Sequence, residues 1–201
     1  SDTIDLSGFA SLFDPNASSS GSAPTSFPSG TSDVWVARVQ EISGLAENFQ
    51  SALSSPPSVP TTGSANFSGA GVIVDTQIPA DVDTLAEIAQ YAAVATDATA
   101  SIDFSTGDVT AEQFDFVDVN GASVPGSINY AGTLDSSGFT TNTSAGGSIA
   151  GTTVSATGDD NAGIGYIGGS QPTAFGFFVD TGSGGTYNGV ELGGGFFAAQ
   201  D

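Results

Sequence analysis

From Gly63 to the C-terminus, apolar residues recur with a period close to two and are interrupted at short intervals by Gly, Asp, Asn and Ser. A period of two marks half-buried strands, and those interruptions mark turns. The pattern predicts strands near Ser64–Val74, Tyr91–Phe104, Val109–Val119, Gly126–Leu134, Gly138–Thr143, Ser148–Ala156, Gly163–Val179 (broken at Gly168–Pro172) and Gly189–Ala199. Ile78–Ala89 interrupts the series with Pro79 and acidic residues and predicts one helical turn from Val82 to Ile88. Short turns between successive strands predict an all-β fold, an eight-stranded antiparallel up-and-down barrel, a closed architecture that leaves no open edge.

Upstream the periodicity changes. Val34, Val36 and, further on, Ile42 alternate like a strand, whereas Leu45, Phe49 and Leu53 are spaced like one face of a helix. Asp33 is the expected helix cap. The reading is a strand or irregular turn, then a short helix, ended by Pro56, Pro57 and Pro60. Residues 1–30 form an extended N-terminal segment with an apolar head (Ile4, Leu6, Phe9, Leu12, Phe13), followed by a Ser/Pro/Gly-rich linker. Such a peptide has no core of its own, so those five side chains are candidates for an assembly interface. The expected organisation is 1–30 tail and linker, 31–62 short strand and helix with a Pro-rich linker, and 63–201 barrel.

The end of the chain, Ala174-Phe-Gly-Phe-Phe-Val-Asp180 followed by Gly193-Gly-Gly-Phe-Phe197, reads as an aromatic-rich closing hairpin. Alternation through Phe175, Phe177 and Phe178 requires at least one aromatic to point out of the barrel. Trp35, Phe175, Phe177, Phe178, Phe196 and Phe197 either fill the barrel and pin its register or line an apolar pocket. The outward aromatic needs a cover, for which the N-terminal segment is the nearest candidate.

Composition then removes most chemistry. There are 22 acidic residues against one basic residue, Arg38, for a formal charge of −21, with no His, Cys or Met. Cysteine nucleophiles, thiolate metal sites, disulfides, imidazole acid–base catalysis, lysine Schiff bases and P-loops are thereby excluded. The charge opposes nucleic acid and anionic membranes. No apolar run is long enough for a spanning helix, so membrane insertion is not expected. With 22 acids, carboxylate pairs arise by accident, so none of them is read as a glycosidase dyad. Ser1, with no Met and no tag, reads as a mature chain after removal of a signal peptide, which places the protein outside the cell.

Two acidic clusters remain as metal candidates. Asp159, Asp160 and Asn161 can offer oxygen ligands to Ca2+ or simply form an Asp/Asn turn. Asp81, Asp83 and Glu87 pose the same choice between ligand set and solvated loop. No other cofactor is expected.

The order of Gly63-Ser-Ala-Asn-Phe-Ser-Gly69, Ala100-Ser-Ile-Asp-Phe-Ser-Thr-Gly-Asp-Val-Thr110, Gly126-Ser-Ile-Asn-Tyr-Ala-Gly132, Ser148-Ile-Ala-Gly-Thr-Thr-Val154 and the closing hairpin resembles the barrel of the transferrin-binding protein B family over about 63–201. The resemblance implies an eight-stranded barrel, export to the bacterial surface, and binding of a protein or ligand through loops or an accompanying domain. This chain differs in lacking a lipid-attachment Cys, most basic residues and a full-sized preceding domain, and none of the family's binding residues has a counterpart to carry over. The expected function is a non-enzymatic extracellular structural protein, a filament or layer subunit that polymerises with copies of itself through its N-terminal strand. The alternative is a secreted or surface binding protein for a small ligand or partner protein.

Overall fold

The computed structural model describes residues 29–52, 58–75, 92–138, 140–158, 161–180 and 192–201. Among the described residues one helix precedes ten strands: α1 (Asp33–Ala52), β1 (Ser64–Asp75), β2 (Ala92–Asp103), β3 (Asp108–Val117), β4 (Ser123–Val124), β5 (Gly126–Leu134), β6 (Thr140–Ile149), β7 (Thr152–Thr157), β8 (Ala162–Ile167), β9 (Thr173–Val179) and β10 (Leu192–Gln200). The strands form one antiparallel sheet in the order β7-β6-β5-β3-β2-β1-β10-β9-β8, with β4 a two-residue addition to β3.

The ends of that order meet along β6. β7 pairs with the second half of β6, from Ser144↔Thr157 to Ile149↔Thr152. β8 lies beside the β5–β6 turn and the start of β6: the amide of Tyr166 donates to Gly138 O at 2.8 Å. The Ile164 amide donates to Oγ1 of Thr140 at 3.0 Å. β7 and β8 thus both lie beside β6, and the sheet nearly closes on itself. The antiparallel barrel expected from the sequence is present and nearly closed, with nine to ten strands among the described residues rather than eight.

Two corrections follow from packing. Residues 33–52 form one continuous helix rather than a strand or turn followed by a short helix. Its register is set by Trp35, Val39 and Ile42, at i, i+4 and i+7, all buried. Val34, read as part of a strand, is half exposed on the other side. The cap is Ser32 rather than Asp33: its Oγ accepts from the Val34 amide at 3.3 Å and its own amide donates to Val119 O at 2.9 Å. The second correction concerns the strands expected at Gly138–Thr143 and Ser148–Ala156. β6 instead continues through 144–149, and the hairpin turns at Ala150-Gly151, both with positive φ (49° and 84°). Two positive φ values match the right-handed twist of a two-residue hairpin, and Ala-Gly is a weak sequence signal for it.

The helix lies on the outside of β1, β2 and β10, and Arg38 pins it there. The guanidinium Nε lies 3.3 Å from Asp97 Oδ1, Nη2 donates to Asp97 Oδ2 at 3.4 Å and Nη1 to Ala95 O at 3.5 Å. Nη1 also donates to Asp115 O. Asp115 sits in a bulge of β3 at φ 51°, where the ladder to β2 shifts register, and that strained backbone aims its carbonyl at the arginine.

The expected helical turn at Val82–Ile88, the cluster Asp81, Asp83 and Glu87, the tail Ile4, Leu6, Phe9, Leu12 and Phe13, and Asp159 and Asp160 lie outside the described residues.

Candidate functional site

The barrel interior is packed. Phe67, Ile73, Ile102, Phe116, Ile128, Tyr130, Ile164, Tyr166, Phe178 and Phe196 belong to one buried cluster. Tyr130 meets Phe196 and Phe178 edge-on, at ring-centroid distances of 5.2 and 6.2 Å. A polar group crosses this core. Gln113, fully buried, donates from Nε2 to Thr96 Oγ1 at 3.1 Å and to Gly195 O at 3.2 Å, and accepts the Tyr130 hydroxyl proton at Oε1. Gly71 leaves the room for this: a Cβ there would lie 2.3 Å from Gln113 Nε2. Burial raises the Tyr130 hydroxyl pKa well above its ordinary range, so the group stays a neutral donor. These mutual hydrogen bonds make the interior a structural network.

Among the described residues, concave surfaces on the exterior include two that differ in character. One, about 430 Å³, is a polar trough across β1, β2, β3 and β5, with Asn66, Ser68, Thr99, Ser101, Thr110, Glu112, Asn129 and Asp201 along it. These are the solvent-side positions of paired strands (Ser68↔Thr99, Thr99↔Glu112, Glu112↔Asn129), as the alternation demands. Ser68 Oγ donates to Asp201 Oδ1 at 2.6 Å. The trough's apolar lining, Phe67, Ala100 and Ala111, belongs to the buried core, so this face reads as a solvated strand wall.

The second, about 360 Å³, has the composition of a binding site. It lies at one end of the barrel between the β2–β3 turn, the β5–β6 turn and the segment that leads into β1. Val59, Phe104 and Leu134, half-buried against the core, form its floor. Phe104 is held edge-on against Tyr166 at 5.1 Å. Thr61, Ser105, Thr106 and Ser136 give it a hydroxyl rim.

Both turns are built alike. In the first, Asp103 Oδ1 accepts from the Ser105 amide at 2.9 Å and from the Ser105 hydroxyl. In the second, Asp135 Oδ1 accepts from the Ser137 amide at 2.7 Å and from the Ser137 hydroxyl. Such Asp-x-Ser turns bend the chain by local hydrogen bonding. Gly107 at φ 82° completes the first, its amide donating to Asp103 O at 2.7 Å. The hydrogen bonds from Ser105 hold the Asp103 carboxyl below its usual pKa, so it is ionised at neutral pH. The slot thus combines an apolar floor with carboxylates in both turns that frame it.

Of the residues singled out by sequence, Asn161 is built into the β7–β8 connection. Its carbonyl accepts from Val179 N at 2.7 Å and its side chain donates to Thr157 O at 3.4 Å. Among the described residues no group of three or more Asp or Glu is placed to hold a metal. The six aromatics separate. Phe178 and Phe196 are interior, Trp35 is on the helix, Phe175 and Phe177 point outward over Gly165 and Gly163, and Phe197 points outward beside Phe175. The slot escaped the sequence reading because its floor joins residues 59, 104 and 134. The repeated Asp-x-Ser at the two turns is the signal that was available.

No family model matches the chain, and no curated protein matches it by sequence. Similar solved structures include two of the vaccine antigen transferrin binding protein B from Haemophilus parasuis Hp5, a double and a single mutant. They are 20% and 19% identical, with a TM-score of 0.41 each, over 70% of this chain and 26% and 27% of theirs. Intact Ap-TbpB, comprising N and C lobes, is 16% identical at a TM-score of 0.40, over 72% of this chain and 28% of that one. The chain therefore spans about a quarter of the length of those structures.

Proposed function

We propose that this chain is a non-enzymatic, extracellular binding module, and that its slot receives a lysine or arginine side chain of a basic partner protein. The observation that carries the reading is the slot itself: an apolar floor of Val59, Phe104 and Leu134 with Asp103 and Asp135 in the turns beside it. A long cationic side chain fits that combination because its methylenes prefer apolar contact while its charge seeks carboxylate and water. The field of the whole chain acts in the same direction. Its formal charge is −21, and its one basic side chain, Arg38, is engaged by Asp97 and by backbone carbonyls. Such a surface accelerates encounter with a basic partner and repels acidic ones.

The absence of His, Cys, Met and Lys from the sequence supports binding over catalysis. The test is calorimetric titration with tetralysine. Binding to the wild type should weaken about tenfold or more in Phe104→Ala/Leu134→Ala, which keeps every carboxylate and loses the floor. Equal affinities for the two proteins would overturn the slot as the site.

A further inference from the structure

We infer that the outer face of β8 and β9 is the seat of the chain's own apolar N-terminal segment, residues 4–13. Interior positions of β9 are Ala174, Gly176 and Phe178; Phe175, Phe177 and Val179 therefore point out of the barrel. An outward strand face ordinarily meets water, yet Phe175, Phe177 and Val179 are 1%, 4% and 3% exposed. Phe197, beside Phe175 at 6.4 Å, is 1% exposed.

The described elements account for only part of that burial. α1 covers β1, β2 and β10, and among the described elements only the neighbouring strands pack extensively on β9. The local surface is shaped as a platform. Gly165 and Gly163 leave room for the rings above them, a Cβ at either position falling 2.1 and 2.4 Å from Phe175 and Phe177. Rings seated over a glycine strand make a broad apolar surface, and each aromatic withdraws about 150–250 Å² from water when covered.

Residues 4–13 match this seat in chemistry and reach. They hold Ile4, Leu6, Phe9, Leu12 and Phe13 and no basic residue. They precede Ser29, which joins the barrel at the β3–β4 turn through Ser32. At about 3.3 Å per extended residue the intervening chain spans far more than the barrel's width. An apolar segment with no core of its own and an apolar face that is buried satisfy one another.

The test uses the full chain. Hydrogen exchange of the 4–13 amides should be slowed at least about tenfold in the wild type. Ile4→Ser/Leu6→Ser/Phe9→Ser/Phe13→Ser, which leaves the barrel sequence intact, should abolish that protection and give a several-fold rise in the fluorescence of an added anilinonaphthalene sulfonate dye. Unprotected amides in the wild type, or unchanged dye binding in the variant, would overturn the proposal. So would dye binding that responds instead to Leu85→Ser/Ile88→Ser. Light scattering of the same pair identifies the donor, and either result keeps the seat: equal masses place the segment on its own barrel, and a mass that falls in the variant places it on a neighbouring copy.

Discussion

The backbone amide of Ile164 finds its acceptor in the side chain of Thr140, 3.0 Å away, where a regular ladder would supply a carbonyl. This contact stands between two ordinary backbone bonds, Gly158 N to Thr143 O and Tyr166 N to Gly138 O, and with them brings the two ends of the sheet together. Thr140→Val keeps the shape and removes the acceptor, leaving a buried amide unsatisfied. The expected loss is about 1–3 kcal/mol in urea unfolding, with faster exchange of the Ile164 amide. An unchanged midpoint and unchanged exchange would contradict this account of closure.

Arg38 is the second point where one side chain joins two elements. Arg38→Met retains the stem but releases α1 from Asp97 and from Asp115 O. Because Asp97 is 39% exposed, the expected cost stays near 1–2 kcal/mol. Trp35 is the only tryptophan and is buried beneath the helix, so its emission should shift red at lower urea in the variant than in the wild type.

Glu41, on the same helix, carries a pH signature. Partial burial and the Asp97 carboxylate raise its pKa, against the pull of Arg38. The folded state therefore holds the proton more tightly than the unfolded chain does. The resulting stability is fully present below the unfolded value of 4.5 and is lost as pH rises through the raised folded value. Glu41→Gln should accordingly raise the melting temperature at neutral pH, by an amount that shrinks as pH falls toward 4.5. A gap that widens on acidification would show the sign to be wrong.

Gln113 tests the interior network. Gln113→Ala strips Tyr130, Thr96 and the Gly195 carbonyl of their shared partner and opens a void beside Gly71. The cost should be about 2–4 kcal/mol by chemical unfolding, with the barrel's circular dichroism retained. A smaller loss would place the core's stability in its aromatic contacts alone.

Much of the barrel was legible because alternation and turn residues are local signals. The strand boundaries of β1, β3, β5 and β9 follow from them almost directly, and the outward aromatic follows from parity within Phe175–Phe178. What escaped was decided across the chain. The helical stripe Trp35-Val39-Ile42 competes with an equally visible Val34/Val36 alternation, and only the apolar outer faces of β1, β2 and β10 decide between them. β6 was shortened because Thr140–Ile149 is nearly devoid of large apolar residues and its turn, Ala150-Gly151, lacks Asn or Asp. Thr140 could not be picked out as a ladder acceptor, since its partner is fixed by closure and not by spacing. The slot was hidden because Val59, Phe104 and Leu134 are brought together by the β2–β3 and β3–β5 pairings and the segment entering β1, and not by their spacing in the chain.

The central claim is that cationic side chains bind at this slot and not over the acidic surface at large. Amide chemical-shift mapping of the wild type with tetralysine at moderate salt separates the two. The account predicts saturable shifts confined to Thr61, Phe104–Gly107 and Leu134–Ser137. Small shifts spread over the carboxylate-bearing strands, including the trough at Glu112 and Asp201, would contradict it.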